Sequence, residues 1–185
     1  MAREERFEVV LAAAQEGAEW AIAALFRELH PKLLRYLRAQ EPGEADDLAS
    51  ETWLAVASSL RRFAGDEVAF RRWIFTIARR RLLDLRRRTI SRRTDPVPNE
   101  WLAGLNGPVD VESEALAALA TEAALARIAT LPLDQAEVVL LRVVAGLDAN
   151  DVARMTGKSA GAVRVLQHRA LKRLGRRIAQ ESVTP

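Results

Sequence analysis

Residues 148–170 read Asp148-Ala-Asn-Asp-Val-Ala-Arg-Met-Thr-Gly-Lys-Ser-Ala-Gly-Ala-Val-Arg-Val-Leu-Gln-His-Arg-Ala170. The spacing predicts two short helices joined by a tight turn. Val152, Ala153 and Met155 form the inward side of the first, and Ala153 is small where two helices would cross. Gly157 falls in the turn, where a positive φ is often required. Ser159 stands where its hydroxyl can cap the second helix. Val163, Leu166, Ala170 and Leu174 recur at helical spacing as a buried stripe. The opposite face carries Ala160, Arg164, Gln167, His168 and Lys172. A buried stripe backed by a basic outward face is what a helix needs to lie in the major groove of duplex DNA.

Upstream the same periodicity persists. Leu133 to Ala145 is an apolar helical run ended by Gly146, and Leu131-Pro132 separates it from an alanine-rich helix beginning near Glu112. Residues 91–111 hold Pro96, Pro98, Asn106, Gly107 and Pro108 without a sustained period, which predicts a linker. Trp101 and Leu102 interrupt its polarity, so part of it is expected to dock. Before the linker, Phe7, Val10, Leu11 and Ala14 follow helical spacing. Trp20, Ala24, Leu25 and Leu29 continue it, and Pro31 is read as opening a new turn. Pro42-Gly43 is a break. Glu44 to Leu60 follows as a helix with acidic residues in its first turn, which suits the helix dipole. After a loop at 61–66, one long helix runs from Glu67 to about Arg88. Strand signals are scarce. The expected fold is all-α: two small helical domains, 1–90 and 112–180, joined by a flexible linker over 91–111, with a short tail at 181–185.

Charge follows the same division. Residues 1–60 carry 6 basic and 11 acidic side chains, and residues 61–93 carry 12 and 3. Residues 94–141 carry 1 and 8, and residues 142–180 carry 9 and 2. Two basic blocks, each closing a module, are the electrostatic footprint of a nucleic-acid partner. The chain has no cysteine and two histidines. A disulfide framework, a thiolate metal site and a cysteine nucleophile are excluded, and no cofactor or metal is expected. No apolar run approaches the ~20 residues of a membrane span. No secretory leader is read at the N-terminus, so a cytoplasmic protein is expected. Phosphate-binding glycine loops and nucleophile motifs are missing, so an enzyme is not expected.

On these residues the chain resembles the extracytoplasmic-function (ECF) sigma factors of bacterial RNA polymerase. Gly146 to Arg164 and His168-Arg-Ala look like the family's region 4. Ala45-Asp-Asp-Leu-Ala-Ser-Glu-Thr-Trp-Leu-Ala-Val resembles its core-polymerase-binding helix. Phe70-Arg-Arg-Trp-Ile-Phe-Thr-Ile-Ala-Arg-Arg-Arg-Leu-Leu-Asp-Leu-Arg-Arg-Arg resembles its promoter −10 helix. The likeness covers about residues 5–90 and 112–178. The family usually has glutamine where Ser50 stands, phenylalanine at Trp53 and asparagine at Arg80; Val165-Leu166-Gln167 also departs from its pattern.

The resemblance implies a sigma factor: a dissociable subunit that brings core RNA polymerase to a promoter and helps to melt it. Asp46, Asp47, Glu51 and Trp53 would dock on the clamp helices of the β′ subunit, while the second module would meet the β flap. Arg62 and Phe63 in the loop, with Arg79, Arg80, Arg87 and Arg88 on the helix, would hold the melted −10 strand. Phe63 is the stacking candidate, since base–aromatic stacking returns ~1–3 kcal/mol per base, whereas Trp73 and Phe75 read as core. Asp84 is expected to orient a neighbouring arginine. Arg164 and His168 would read −35 base edges, and Ser159, Arg169, Lys172 and Arg173 would hold phosphates. An anti-sigma factor is an implied partner, promoter DNA another, and membrane insertion is not expected. The rival reading is a self-sufficient dimeric helix-turn-helix regulator on a palindromic operator. That reading leaves the acidic helix and the first basic block without a task.

Overall fold

The computed structural model describes residues 3–92 and 112–181, with side chains described for 5–90 and 121–180. The proposed linker 91–111, with Trp101 and Leu102, and the tail fall almost wholly outside the described residues. Among those residues every regular element is helical: α1 (Arg3–Gln15), α2 (Glu19–Arg38), α3 (Ala45–Ser59), α4 (Glu67–Arg92), α5 (Glu112–Ala129), α6 (Leu133–Val139), α7 (Ala149–Thr156) and α8 (Ala160–Glu181).

The first module is a bundle of α1 to α4. Its longest buried stripe lies on α2: Ala21, Leu25, Leu29, Leu33, Tyr36 and Leu37. Two expectations are corrected here. Trp20 is not in the stripe; it is 58% exposed, because the buried register starts one residue later, at Ala21. Pro31, read as opening a new turn, lies inside α2. It is exposed, so the backbone acceptor it leaves unpaired can face water. Burial of four leucines on the other face, each contributing about 1.5–3 kcal/mol, offsets the ~3 kcal/mol cost of an interior proline. The Pro42–Glu44 turn breaks the chain as expected and delivers it into α3. On α4 the buried positions are Phe70, Ile74, Phe75, Ala78 and Leu82. Phe75 is core, as expected.

The second module is α5 to α8. Asp148 caps α7 by accepting from the Asp151 amide at 2.7 Å. Gly157 ends that helix at φ +70°, a conformation natural to glycine. The Ser159 hydroxyl accepts from the Ala162 amide at 3.1 Å, capping α8. Val163 and Ala170 are fully buried, and Leu166 and Leu174 pack behind them. The helix-turn-helix is therefore built as its sequence dictates. Past α6 the chain widens into a wider turn, in which the Ala145 amide reaches the Leu140 carbonyl at 3.1 Å.

The two modules share one apolar core. Helix α2 packs against the wide turn, and α4 reaches α6 and α7 through Arg79–Glu137 and Arg72–Asp151. From Gln135 onward α6 is buried on every side: Gln135, Ala136, Glu137, Val138 and Val139 all lie inside, while Leu133 and Asp134 at its start are exposed.

Candidate nucleic-acid interface

Three surfaces carry the predicted residues. The first is the acidic helix α3. Asp46, Asp47 and Glu51 are exposed along it. Asp46 meets Arg38 of α2 at 3.4 Å, and Glu51 pairs with Arg81 of α4. Trp53 is half-buried. Its indole N–H donates to His30 Nδ1 at 3.2 Å, and its ring lies 4.9 Å from Phe26. The apolar groups beside it are exposed: Ile22 at 44%, Phe26 at 40% and Leu54 at 71%.

The second surface is the 60–66 loop with α4. The Gln15 amide donates to the carbonyls of Leu60 at 3.0 Å and Phe63 at 2.7 Å, pinning the loop to the end of α1. Asp66 caps α4 by accepting from the Ala69 amide at 2.7 Å. Gly65 sits at φ +152°, and a Cβ there would lie 2.9 Å from Ala69 Cβ and 3.2 Å from the Phe63 ring. Glycine therefore allows the loop to close over Phe63. That ring stacks on Trp73 at 4.9 Å and meets the edge of Phe70 at 5.1 Å. Phe63 is thus part of a four-ring cluster with Phe7, Phe70 and Trp73, and Trp73, read as core, is its half-buried stacking partner.

The arginines of α4 divide into two groups. Arg80, Arg87 and Arg88 are exposed, as is Arg62 in the loop. Arg87 pairs with Asp84 one turn away at 2.9 Å, the intrahelical pair expected. Arg79 points the other way. Its guanidinium donates to both carboxylate oxygens of Glu137 on α6, at 2.9 and 3.4 Å. Two turns earlier, Arg72 donates to Asp151 of α7 at 2.6 Å. Between them, the edge of Tyr36 meets the Phe75 ring at 5.4 Å. Burial pushes the Tyr36 hydroxyl well above its ordinary pKa, with the Glu137 carboxylate acting in the same direction. The side chains of Glu137 and Asp151 are 12% and 4% exposed. A charge-assisted hydrogen bond in such a place contributes about 1.5–3 kcal/mol.

The third surface is α8. Arg164, His168, Arg169, Lys172 and Arg173 are exposed along it, with Ser159 at its start. Gln167 departs from the expected outward face. It is half-buried, and its side-chain oxygen accepts from Arg142 Nε at 3.0 Å. Arg142 also donates to the Leu147 carbonyl at 2.6 Å, so it ties the wide turn to α8.

Sequence reading missed Arg72, Glu137 and Asp151. One signal was available: Glu137 is a lone acid inside the apolar run Ala136 to Leu141, and a carboxylate buried there demands a cation. Its partner lies 58 residues away, and that of Asp151 lies 79 residues away. Phe26 and His30 were missed because neither belongs to a motif. Among the described residues no group of three or more His, Asp or Glu side chains could hold a metal, and no helix is long and apolar enough to cross a membrane.

Comparison with known proteins assigns both modules. Residues 25–92 match the family model for Sigma-70 region 2, and residues 121–174 match that for Sigma-70, region 4. The ECF RNA polymerase sigma factor ShbA of Streptomyces griseus is 38% identical over 172 residues, covering 87% of this chain and 89% of the relative. SigD of Mycobacterium tuberculosis, another ECF RNA polymerase sigma factor, is 35% identical over 179 residues, covering 92% and 82%. Among solved structures, the sigma factor RpoE of Bartonella quintana, crystallised with the anti-sigma factor NepR, superposes with a TM-score of 0.61 at 22% identity. That match covers 88% of this chain and 99% of the other. CnrH in complex with the cytosolic domain of CnrY gives a TM-score of 0.60 at 20% identity, covering 93% and 96%. At these identities the structural likeness concerns the fold.

Proposed function

The chain belongs to the ECF sigma factors of the sigma-70 family, and on that premise we propose how its surfaces divide the work of an alternative sigma factor directing transcription initiation. The acidic face of α3, with Asp46, Asp47, Glu51 and Trp53, docks on the β′ clamp helices of core RNA polymerase. The second module meets the β flap. The 60–66 loop and the exposed arginines of α4 hold the melted −10 strand: Arg62, Arg80, Arg87 and Arg88 track phosphates, and the Phe63 cluster offers the stacking surface. Helix α8 lies in the major groove of the −35 duplex, with Arg164 and His168, one turn apart, at base edges. Ser159, Arg169, Lys172 and Arg173 contact phosphates there. Region 2 spans 1–90 and region 4 spans 112–180, with 91–111 between them. The protein acts in the cytoplasm by binding alone, without a catalytic step or cofactor. It is controlled by an anti-sigma partner, a reading supported by the neighbour RpoE, which was crystallised with an anti-sigma factor.

The carrying observation is the helix-turn-helix with an exposed cationic face on α8, preceded in the same chain by an acidic helix and an arginine-rich helix in sigma order. The dimeric-regulator reading is not favoured, since the relatives match across both modules. In the arrangement described, Arg72 and Arg79 are held by carboxylates of the second module. Polymerase docking therefore separates the modules before α4 can take the −10 strand, and the free protein binds promoter DNA weakly.

The test is capture of purified core polymerase followed by run-off transcription from candidate promoters. Polymerase binding with promoter-dependent transcripts is the expected result. Replacing Asp46 and Asp47 together by lysine lowers that binding and leaves the chain folded, with at most a small drop in melting temperature from the lost Arg38 pair and first-turn carboxylates. Tight polymerase-independent binding of a dimer to a palindrome would overturn the reading.

A further inference from the structure

His30 belongs to none of the surfaces assigned above, yet it touches one of their residues. It stands on α2 facing α3, half-buried. The Trp53 indole N–H donates to its Nδ1 at 3.2 Å. Phe26, one turn earlier on α2, stacks on the imidazole with centroids 4.4 Å apart and planes 14° from parallel. Phe26 also lies 4.9 Å from the indole. Three rings from two helices thus hold one another in a fixed arrangement at the surface. Beside them is a cleft of about 230 Å³ whose walls include Ile22, Leu25, Trp53 and Val56.

An indole nitrogen can only donate, so a half-buried tryptophan needs an acceptor. His30 supplies one only while Nδ1 keeps its lone pair, with the single ring proton on Nε2. The charged groups acting on His30 are Asp46 of α3 and Arg38 of α2, which pair with each other at 3.4 Å. Burial favours the neutral ring, Asp46 opposes that, and Arg38 reinforces it. A proton on Nδ1 would set one N–H against another and release the indole.

We propose that His30 is a positioning residue for polymerase docking: its Nδ1 fixes the Trp53 indole, with Phe26 stacked behind, so that α2 and α3 together present one rigid aromatic anchor. The occupant is a basic helix of core polymerase inserting an apolar side chain into the cleft beside Trp53. The charge pattern selects it, because the aromatic patch shares α3 with exposed Asp46, Asp47 and Glu51. A tryptophan held beside an apolar pocket is the kind of group on which interface hot spots centre. This inference rests on the reading that α3 docks on polymerase, and it adds α2 to that surface.

The experiment measures affinity of the full chain for core polymerase at pH 8 and pH 6. The variants are His30→Ala, His30→Gln, Trp53→Phe and the double His30→Ala/Trp53→Phe, with thermal melts alongside. His30→Ala should weaken binding about fivefold at pH 8, the worth of one ordinary hydrogen bond. On the Trp53→Phe background, where no N–H remains to be held, the same change should cost less than twofold. His30→Gln keeps an acceptor without a titrating ring. It should bind like the parent at pH 8 and lose less affinity at pH 6. Additive effects in the double variant, or the same pH response in parent and His30→Gln, would overturn the proposal. If Asp46 and Asp47 reversal also leaves affinity unchanged, the docking reading itself fails. If reversal abolishes binding while the His30 and Trp53 effects add, only the positioning role fails.

Discussion

Helices α4 and α8 have similar composition and opposite states. Both are arginine-rich and both close a module. On α4, Arg72, Arg79, Arg81, Arg86 and Arg87 each meet a carboxylate, and two of these carboxylates belong to the other module. On α8, no ion pair is found among the described residues for Arg164, Arg169, Lys172 or Arg173. One helix has most of its cations paired within the chain, leaving Arg80 and Arg88 open, and the other offers Arg164, Arg169, Lys172 and Arg173 to solvent. The difference teaches that net charge marks a polyanion site without saying whether the site is open. Two carboxylates of the second module occupy the guanidinium groups of Arg72 and Arg79.

The largest expected effect lies on the open helix. Arg164→Ala should cost ~1–3 kcal/mol in −35-dependent transcription, the worth of one good base contact. The check is run-off yield on the parent promoter and on promoters varied at single −35 positions, and an equal loss on all of them would demote Arg164 to a phosphate contact. Next comes the closed helix. Glu137→Gln with Asp151→Asn removes both inter-module anions. The free protein should then bind single-stranded −10 DNA about tenfold tighter. Its log–log salt slope should steepen by about 1.4, two phosphates at ~0.7 each. Unchanged affinity and slope would show that the carboxylates do not gate α4.

A smaller effect tests the scaffold beneath α8. Asp148→Ala removes the α7 cap and should lower the melting temperature. Its carboxyl is held below the ordinary range chiefly by the hydrogen bond from the Asp151 amide. The cap's contribution is therefore present above the unfolded carboxyl's pKa and lost as pH falls through the depressed folded one. The smallest effect is on α2. Burial lowers the His30 pKa, so the folded state takes up its proton less readily than the unfolded chain. That contribution to stability is complete above the unfolded histidine's pKa and declines as pH falls through the lower folded value. Melting curves of the parent and His30→Gln, compared between pH 7 and pH 5, should diverge slightly at the acid end.

Much of this was legible in the sequence, for local reasons. Gly157, Ser159 and the Val163–Ala170 stripe act within one or two turns, so their spacing alone built the helix-turn-helix. The Asp84–Arg87 pair was readable because both residues share a helix. Trp20 misled because periodicity reports that a stripe exists more firmly than where it starts. Pro31 misled because a local rule was outweighed by burial along the rest of α2. Gln167 turned inward because Arg142, 25 residues earlier, needed an acceptor. The contacts of Arg72 and Arg79 were invisible because they join residues that only the packed modules bring together.

Asp151 differs from Glu137 in one respect that bears on how the modules part. Besides Arg72, it accepts from Arg154 at 2.5 Å, within its own helix. When the modules separate, Arg154 remains beside it, and no bare carboxylate is stranded in the helix-turn-helix. Glu137 has no such second cation among the described residues and must be solvated outright as Arg79 withdraws. The seam thus has a latch and a bolt. On the proposed separation of the modules the Asp151 side keeps one ion pair, while the Glu137 side loses the cation it has among the described residues.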